Sequence, residues 1–193
     1  MRRGIYSLYC GAVFVALGMT VVVVNAFVRD DHARRRIAGR YARAFLKAAR
    51  IPLAVEGIER LPDEACVVVA NHASYLDGIV AIAALPPHFA FVIKREMVQV
   101  PLAGFLLRRL GSEFVERFDP RRGAADARRV VKRATRGQSL VFFPEGTFTE
   151  IRQVGRFLRG AFSPQTPGRS GSHCRSFLSP SWALLRTGSR LDA

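Results

Sequence analysis

The sequence has few cysteines, and they form no pattern that would build a disulfide framework. Its three cysteines are Cys10 in an apolar N-terminal stretch, Cys66 in a short apolar run, and Cys174 in an irregular C-terminal region. Such scattered thiols exclude a disulfide-stapled secreted scaffold and fit a reducing compartment. Histidines are also scarce, and none has metal-ligand spacing to another histidine or to a cysteine, so we predict no metal.

Acidic residues are few relative to basic ones. Fifteen Asp and Glu stand against thirty Lys and Arg, which leaves a formal net charge of +15. A surplus of this size favours an anionic partner, either a membrane surface or nucleic acid. We expect a membrane and no nucleic acid, because many of the arginines follow an apolar stretch rather than surrounding exposed aromatic residues. Nucleic-acid binding stays as an alternative that only the charge favours.

The stretch from Ile5 to Val28 contains no formally charged residue, and roughly 20 apolar residues suffice to cross a bilayer core as a helix. No clear small-residue cleavage site follows it, so we expect a retained membrane anchor over residues 1–30 rather than a signal peptide. Basic residues are more numerous after this stretch than before it. By the positive-inside tendency, the domain after the anchor should face the cytoplasm from the plasma or inner membrane. Whether the stretch spans the membrane or lies in one leaflet stays open.

Residues 31–52 form the next predicted unit, a basic amphipathic juxtamembrane helix from His32 to Arg50. Each basic residue near an anionic leaflet can contribute about 1 kcal/mol, so this helix could hold the domain on the bilayer. A solvated linker helix is the alternative. The apolar positions at helical spacing are Ile37, Tyr41, Phe45 and Ala48, and arginines cover much of the remaining surface.

From residue 53 onward, short apolar runs alternate with longer helical patterns, which predicts an α/β fold with a sheet flanked by helices. Reactive residues in such folds usually lie just past the carboxyl ends of strands. The predicted strands are Leu53–Ile58, Cys66–Ala70, Phe89–Ile93, Glu113–Glu116 and Leu140–Phe143. The predicted helices are Asp77–Leu85, Met97–Leu110 and Ala124–Arg136, the last ended by Gly137.

Two stretches that follow predicted strands carry useful chemistry. In N-H-A-S-Y-L-D-G, residues 71–78, His72 can take a proton and Asp77 can orient its ring. Taken alone, the pair is more readily explained by a helix cap at Asp77 and a histidine bonded to a neighbouring carbonyl. In F-F-P-E-G-T, residues 142–147, Pro144 and Gly146 favour a tight turn that aims Glu145 and backbone amides at one point. That stretch alone is a common turn.

Together, N-H-x-x-x-x-D and F-P-E-G-T resemble blocks of the glycerolipid acyltransferase family, which includes the 1-acylglycerol-3-phosphate acyltransferases. Between them, G-S-E-F-V-E-R at residues 111–117 is similar to that family's block G-x-x-F-x-x-R, and the resemblance covers about residues 55–162. It implies an acyltransferase domain at residues 53–162. The reaction it implies moves a fatty acyl group from coenzyme A or acyl carrier protein to the hydroxyl of a lysophospholipid, with no metal or redox cofactor.

The resemblance also implies roles for single residues. His72 would be the general base and Asp77 its orienting partner. A guanidinium in the second block would contact the polar head of the acceptor, because its geometry matches phosphate. The residues implied in acceptor binding are Asn71, Lys94, Arg117, Glu145, Gly146 and Thr147.

One departure concerns the acceptor. The family's third block commonly continues with an arginine, whereas this chain has Phe148 there and Arg152 four residues later. Losing a charge-assisted hydrogen bond typically costs roughly 1.5 to 3 kcal/mol. We therefore expect lysophosphatidic acid, giving phosphatidic acid, only as the default acceptor, and another lyso-lipid such as lyso-ornithine lipid is the alternative.

The larger departure is the tail, residues 163–193, which has neither helical nor strand periodicity where the family has a further apolar block. Its composition predicts disorder, and we propose an altered reading frame as the cause. Shifting the frame between His173 and Trp182 permits, with G or C at most degenerate bases, the text L-P-V-V-P-V-A-V-V-G. Because a strand's worth of core would be missing, we expect impaired activity, and an inactive membrane-associated remnant is a further alternative.

We predict that resequencing the gene around codons 155–182 will reveal the frame alteration. The restored text should contain the apolar run in place of the present residues. A confirmed, uninterrupted frame whose bases do not encode that run would refute this explanation of the tail.

Overall fold

The computed structural model describes residues 2–70, 72, 74, 76–116 and 119–143, and the structural statements below concern these residues. The C-terminal tail, residues 163–193, lies outside the described residues. The helices are α1 Arg2–Phe27, α2 Asp31–Ala48, α3 Leu76–Ala84, α4 Ala103–Arg109 and α5 Pro120–Thr135. The strands are β1 Val67–Val69, β2 Phe89–Lys94, β3 Glu113–Val115 and β4 Ser139–Phe142, and 3-10 turns occupy Ile58–Arg60 and Arg95–Gln99.

The four strands form one parallel sheet in the order β1-β4-β2-β3. The chain crosses the sheet in one direction through α3 and α4, and it returns through α5. Right-handed crossovers therefore place α5 on the opposite face from α3 and α4. The packing agrees, since Ala81 of α3 packs with Val68 and Val141, whereas Val130 of α5 packs with Leu140. The prediction of a sheet flanked by helices is confirmed.

Helices α1 and α2 run antiparallel and pack along most of their length. The Tyr6 hydroxyl donates to the Ala49 carbonyl at 2.6 Å, and the rings of Phe14 and Phe45 meet edge to face at 5.5 Å. Farther along, Val21 is buried in one cluster with Ala38. Helix α2 in turn packs on α3, so it lies between α1 and the helical layer that covers the sheet.

The predicted basic helix forms, but its buried face differs from the predicted one. Ile37 and Tyr41 are only partly buried, and the positions next to them are the buried ones. The reason is that α2 is covered by both α1 and α3, and close approach between helices needs small residues at the contact. The buried residues of α2 are Ala38, Gly39, Ala42, Phe45 and Leu46.

Several arginines of α2 are bound to the protein itself rather than spread over a free surface. Each donates to a carbonyl at the C-terminal end of another helix, where the helix dipole favours a cation. The bonds are Arg34 Nε to Val28 O at 2.7 Å, Arg35 Nε to Leu110 O at 2.8 Å, and Arg43 Nη1 to Ala83 O at 2.6 Å. Part of the basic surplus therefore attaches helices to one another.

The predicted strand Leu53–Ile58 is wrong, because this segment is irregular and leads into the 3-10 turn. Pro52 cannot donate to a ladder, and Gly57 takes a φ of 73° that ends extended backbone. Leu53 and Ile58 still pack against core clusters, while Val55 between them is exposed. Leu53 and Ile58 thus anchor a loop to the core.

Two helix predictions need corrected boundaries. Met97–Leu110 is a 3-10 turn followed by the short α4, since Pro101 lacks an amide donor and holds Val100 extended. The predicted helix Ala124–Arg136 starts earlier, at Pro120, where the Asp119 carboxylate accepts from two amides of the first turn. Its predicted stop is confirmed, because Gly137 follows it with a φ of 89°.

Candidate active site

The carboxyl ends of β1 and β4 are adjacent, and both sequence blocks start there. Val69 pairs with Phe142 in the parallel register, and the amide of Ala70 donates to the Phe142 carbonyl at 2.9 Å. Just beyond the strands, the rings of His72 and Phe143 lie 4.6 Å apart at 34°. The structure therefore brings the first block into contact with the start of the F-F-P-E-G-T block.

Asp77 lies in the first turn of α3, and its side chain is only 8% exposed. Its Oδ2 is 3.2 Å from Nδ1 of His72 and accepts from the Ser74 amide at 2.8 Å. Ser74 Oγ in turn accepts from the amide of Leu76 at 3.1 Å. This is a reciprocal cap of the helix N-terminus. Asp77 thus caps its helix, as one interpretation of the sequence expected, and it also contacts the imidazole of His72.

The arrangement gives His72 the geometry of a proton acceptor. An Nδ1–H that donates to the Asp77 carboxylate leaves the lone pair on Nε2, and the carboxylate stabilises the imidazolium that forms when Nε2 takes a proton. The His72 side chain is 22% exposed, so it is held by the protein and still reachable from outside. The ring of Phe143 packs against the imidazole of His72 and limits its rotation.

Lys94 is the exposed last residue of β2 and lies at the same edge of the sheet as His72. Two strand spacings separate β2 from β1 in the strand order, which corresponds to about 10 Å across the sheet. Its neighbour across the ladder is Val115, the last residue of β3. The structure thus places Lys94 on the edge that carries His72, at a distance that a long side chain and a polar lipid head can bridge together.

The remaining predicted site residues lie outside the described part of the chain, so their roles stay predictions. The same holds for the departure at Phe148 and for Arg152. Among the described residues, no group of three or more His, Cys, Asp and Glu side chains is arranged to hold a metal ion. The predicted residues outside the description are Asn71, Arg117, Glu145, Gly146 and Thr147.

Reasoning from the sequence missed two contributors to this site. Ser74 was readable in principle, because serine followed three residues later by an acidic residue is the pattern of a reciprocal cap. Phe143 was noted only as part of a turn block. Its contact with His72 depends on β1 pairing with β4, and nothing local in the sequence reports that pairing.

Comparison with known proteins gives a consistent result. The family model described as Acyltransferase matches residues 52–166. The chloroplastic 1-acyl-sn-glycerol-3-phosphate acyltransferase of Brassica napus is 30% identical over 168 residues, which cover 83% of this chain and 48% of the relative. The lyso-ornithine lipid O-acyltransferase of Pseudomonas aeruginosa is 37% identical over 113 residues, which cover 56% of this chain and 41% of the relative. The chain thus spans about half the length, or less, of these curated relatives.

Among solved structures, the chain resembles the 1-acyl-sn-glycerophosphate acyltransferase of Thermotoga maritima. The TM-score is 0.66 at 23% sequence identity, and the match covers 84% of this chain and 68% of that one. At this identity the likeness establishes the fold.

The capping role of Asp77 can be tested by substitution. Asp77→Asn keeps an oxygen for the Ser74 amide, so we expect little change in the free energy of unfolding. Asp77→Ala removes the cap and should cost about 0.5 to 2 kcal/mol. Chemical denaturation in detergent micelles measures the free energy of unfolding of each variant, and Asp63→Ala in an exposed loop is the control. Equal losses for the Asn and Ala variants would contradict the capping role.

Proposed function

This chain belongs to the glycerolipid acyltransferase family, and from that premise we propose that it transfers a fatty acyl group from an acyl thioester to the hydroxyl of a lysophospholipid. The observation that carries the proposal is the His72–Asp77 pair at the carboxyl edge of the sheet, with Phe143 against the imidazole. The donor is acyl-coenzyme A or acyl carrier protein, and the chain itself supplies the base. The product would enter phospholipid synthesis.

In the proposed reaction, His72 Nε2 takes the proton of the acceptor hydroxyl as its oxygen attacks the thioester carbonyl carbon. The tetrahedral intermediate collapses with cleavage of the C–S bond, which leaves a new oxygen ester. The imidazolium returns its proton to the departing thiolate. Asp77 holds the Nδ1–H throughout and offsets the positive charge of the ring. No atom of the protein becomes covalently bound to the acyl group.

Acceptor binding is assigned to the residues implied by the family blocks. Lys94 supports this assignment because it is exposed at the edge of the sheet that carries His72, which we call the reacting edge. The proposed set is completed by Asn71, Arg117, Glu145, Gly146 and Thr147. Lysophosphatidic acid is the default acceptor. A lyso-ornithine lipid is the second candidate, because Phe148 replaces an arginine of the family block and a relative of that name is among the similar proteins.

We propose that α1 attaches the enzyme to one membrane leaflet without crossing the bilayer. α1 is apolar enough to span, yet it packs along α2 from Tyr6 to Val21. A spanning α1 would carry α2 into hydrocarbon, and each exposed cation there would cost roughly 2.5 to 3.5 kcal/mol or more. The exposed cations of α2 are Arg36, Arg40, Arg43 and Lys47.

The outward side of α1 fits this placement. Ile5, Leu8 and Phe27 are 67%, 77% and 83% exposed, and Val15, Met19 and Val23 continue the apolar side between them. Such a face is suited to burial at the boundary between headgroups and acyl chains. We place the domain on the cytoplasmic side of the plasma or inner membrane, where acyl thioesters are available.

The proposed attachment would also bring the membrane close to the reacting edge. Leu76 and Ile79 of α3, which flank Asp77, pack in the same cluster as Cys10 and Val13 of α1. A lysolipid that lies in the leaflet next to α1 would therefore reach the pair with its head group while its acyl chain stays in lipid.

The first test is acyl transfer itself. Purified protein in detergent is given an acyl thioester with lysophosphatidic acid or lyso-ornithine lipid, and thiol release and lipid product are measured. His72→Ala should lower kcat/KM about 10²- to 10⁴-fold, the usual contribution of a general base. His88→Ala is the matched control, because His88 precedes β2 at the opposite edge of the sheet and should leave turnover unchanged.

Three other outcomes would decide against parts of the proposal. Equal turnover by the protein and its His72→Ala variant would remove the general base. No turnover with any lyso-acceptor would favour an inactive membrane-associated remnant, and a version with the predicted frame repaired would then show whether the tail is the cause. Salt-dependent DNA binding without liposome binding would instead favour the nucleic-acid alternative.

The second test is the depth of α1 in a bilayer. Cysteines placed at Leu8, Val15 and Val23, in a background without the native cysteines, carry a fluorophore that lipid-attached quenchers reach at known depths. For a helix lying in one leaflet we expect similar shallow depths at all three positions, with a label at Arg36 on α2 staying outside. A deep label at position 15 between two shallow ones would indicate a spanning helix.

A further inference from the structure

Outside the His72 site, the chain contains a buried carboxylate, Asp126 of α5, that the proposed chemistry does not use. Its side chain is only 4% exposed. Nη2 of Arg95 donates to Oδ1 at 2.9 Å and to Oδ2 at 2.8 Å, and the Glu116 amide donates to Oδ2 at 2.9 Å. Arg129, one turn along α5, donates to Oδ1 at 2.7 Å.

The position of this carboxylate in the sheet is informative. The β2–β3 ladder ends at the pair Lys94 and Val115. Arg95 directly follows Lys94, and Glu116 directly follows Val115. Asp126 accepts from the side chain of Arg95 and from the backbone amide of Glu116. Asp126 therefore links the two chain segments one residue beyond the last backbone pair of β2 and β3, next to Lys94.

The ionisation of Asp126 suits this role. Burial acts to raise the pKa of its carboxyl, but hydrogen bonds from Arg95, the Glu116 amide and Arg129 outweigh burial and lower the pKa below its ordinary value. The group is therefore charged at neutral pH and holds its donors by charge-assisted hydrogen bonds, which are stronger than neutral ones.

We propose that Asp126 is a positioning residue for the acceptor, which fixes the carboxyl ends of β2 and β3 so that Lys94 is held to bind the phosphate of a lysophospholipid. The inference rests on the proposed function, since it assigns a phosphate to the ligand. Asp126 acts through Arg95 and the Glu116 backbone and does not touch the lipid. Glu116 also directly precedes Arg117 in the sequence, so the same attachment is adjacent to a second predicted acceptor residue.

Glu113 offers a matched control for the loss of a buried ion pair. It is also buried, and it accepts from Arg129 at 2.9 Å and Arg133 at 2.6 Å, so it likewise attaches α5 to β3. It is the first residue of β3, whereas Asp126 binds the amide of Glu116, directly after the last residue of β3. The two carboxylates share Arg129, but Glu113→Gln leaves in place the bonds from Arg95 and from the Glu116 amide to Asp126, on which the inference rests.

The experiment measures equilibrium binding of 1-acylglycerol-3-phosphate and of monoacylglycerol, which lacks the phosphate, to the full chain in detergent micelles. Asp126→Asn should weaken binding of the phosphate-bearing lipid about tenfold or more, the order of magnitude for one charge-assisted hydrogen bond. Binding of monoacylglycerol and the KM for the acyl thioester should change less than twofold. Glu113→Gln should change neither affinity by more than twofold.

A second variant keeps the test valid if Asp126→Asn does not fold. Arg95 is 44% exposed, so Arg95→Met should fold and should show the same selective loss of phosphate-bearing lipid. Equal effects of the Asp126 and Glu113 variants, or equal weakening of both lipids, would overturn the inference. The inference would also be overturned if the unsubstituted protein bound 1-acylglycerol-3-phosphate and monoacylglycerol equally well. Selective binding without acyl transfer would sustain the inference and contradict the proposed reaction.

Discussion

The parallel pairing of β1 with β4 is the constraint on which the candidate active site depends. It joins segments far apart in the chain, and it is stabilised by Val68, Leu140 and Val141, which are fully buried between helices on both faces of the sheet. Apolar burial of this kind is the main favourable contribution to folding. Without the pairing, His72 would keep Asp77 as a local partner and would lose its contact with Phe143 in the F-F-P-E-G-T block.

Two buried carboxylates serve the same structural purpose at this edge of the sheet. Asp77 connects the end of the loop after β1 to the first turn of α3, and Asp126 connects the segments after β2 and β3 to α5. Each accepts from a backbone amide as well as from a side chain. A buried carboxylate satisfied in this way fixes geometry, since moving any partner would leave a charge unpaired in a low-dielectric setting.

The basic surplus also has a structural part. Arg34, Arg35 and Arg43 donate to the carbonyl ends of three other helices, and Arg109 donates to the carbonyls of Asn25, Ala26 and Val28 at the end of α1. These cations attach α1 and α2 to each other and to α3 and α4, the helices that cover this face of the sheet. The attraction of the chain to an anionic membrane therefore rests on the cations that stay exposed, and less on the net charge as a whole.

The sequence by itself determined the features that depend on near neighbours: the α/β class, four of the five strands, the end of α5 at Gly137, and the blocks around His72 and Asp77. It wrongly predicted a strand at Leu53–Ile58, because a short apolar run looks the same in a loop that packs on the core. Only the tertiary structure decided the strand order, the buried face of α2, the contact of Phe143 with His72, and the bonds of Asp126 to the segments that follow β2 and β3. These features depend on contacts between residues far apart in the chain, and no local periodicity encodes which distant surfaces will meet.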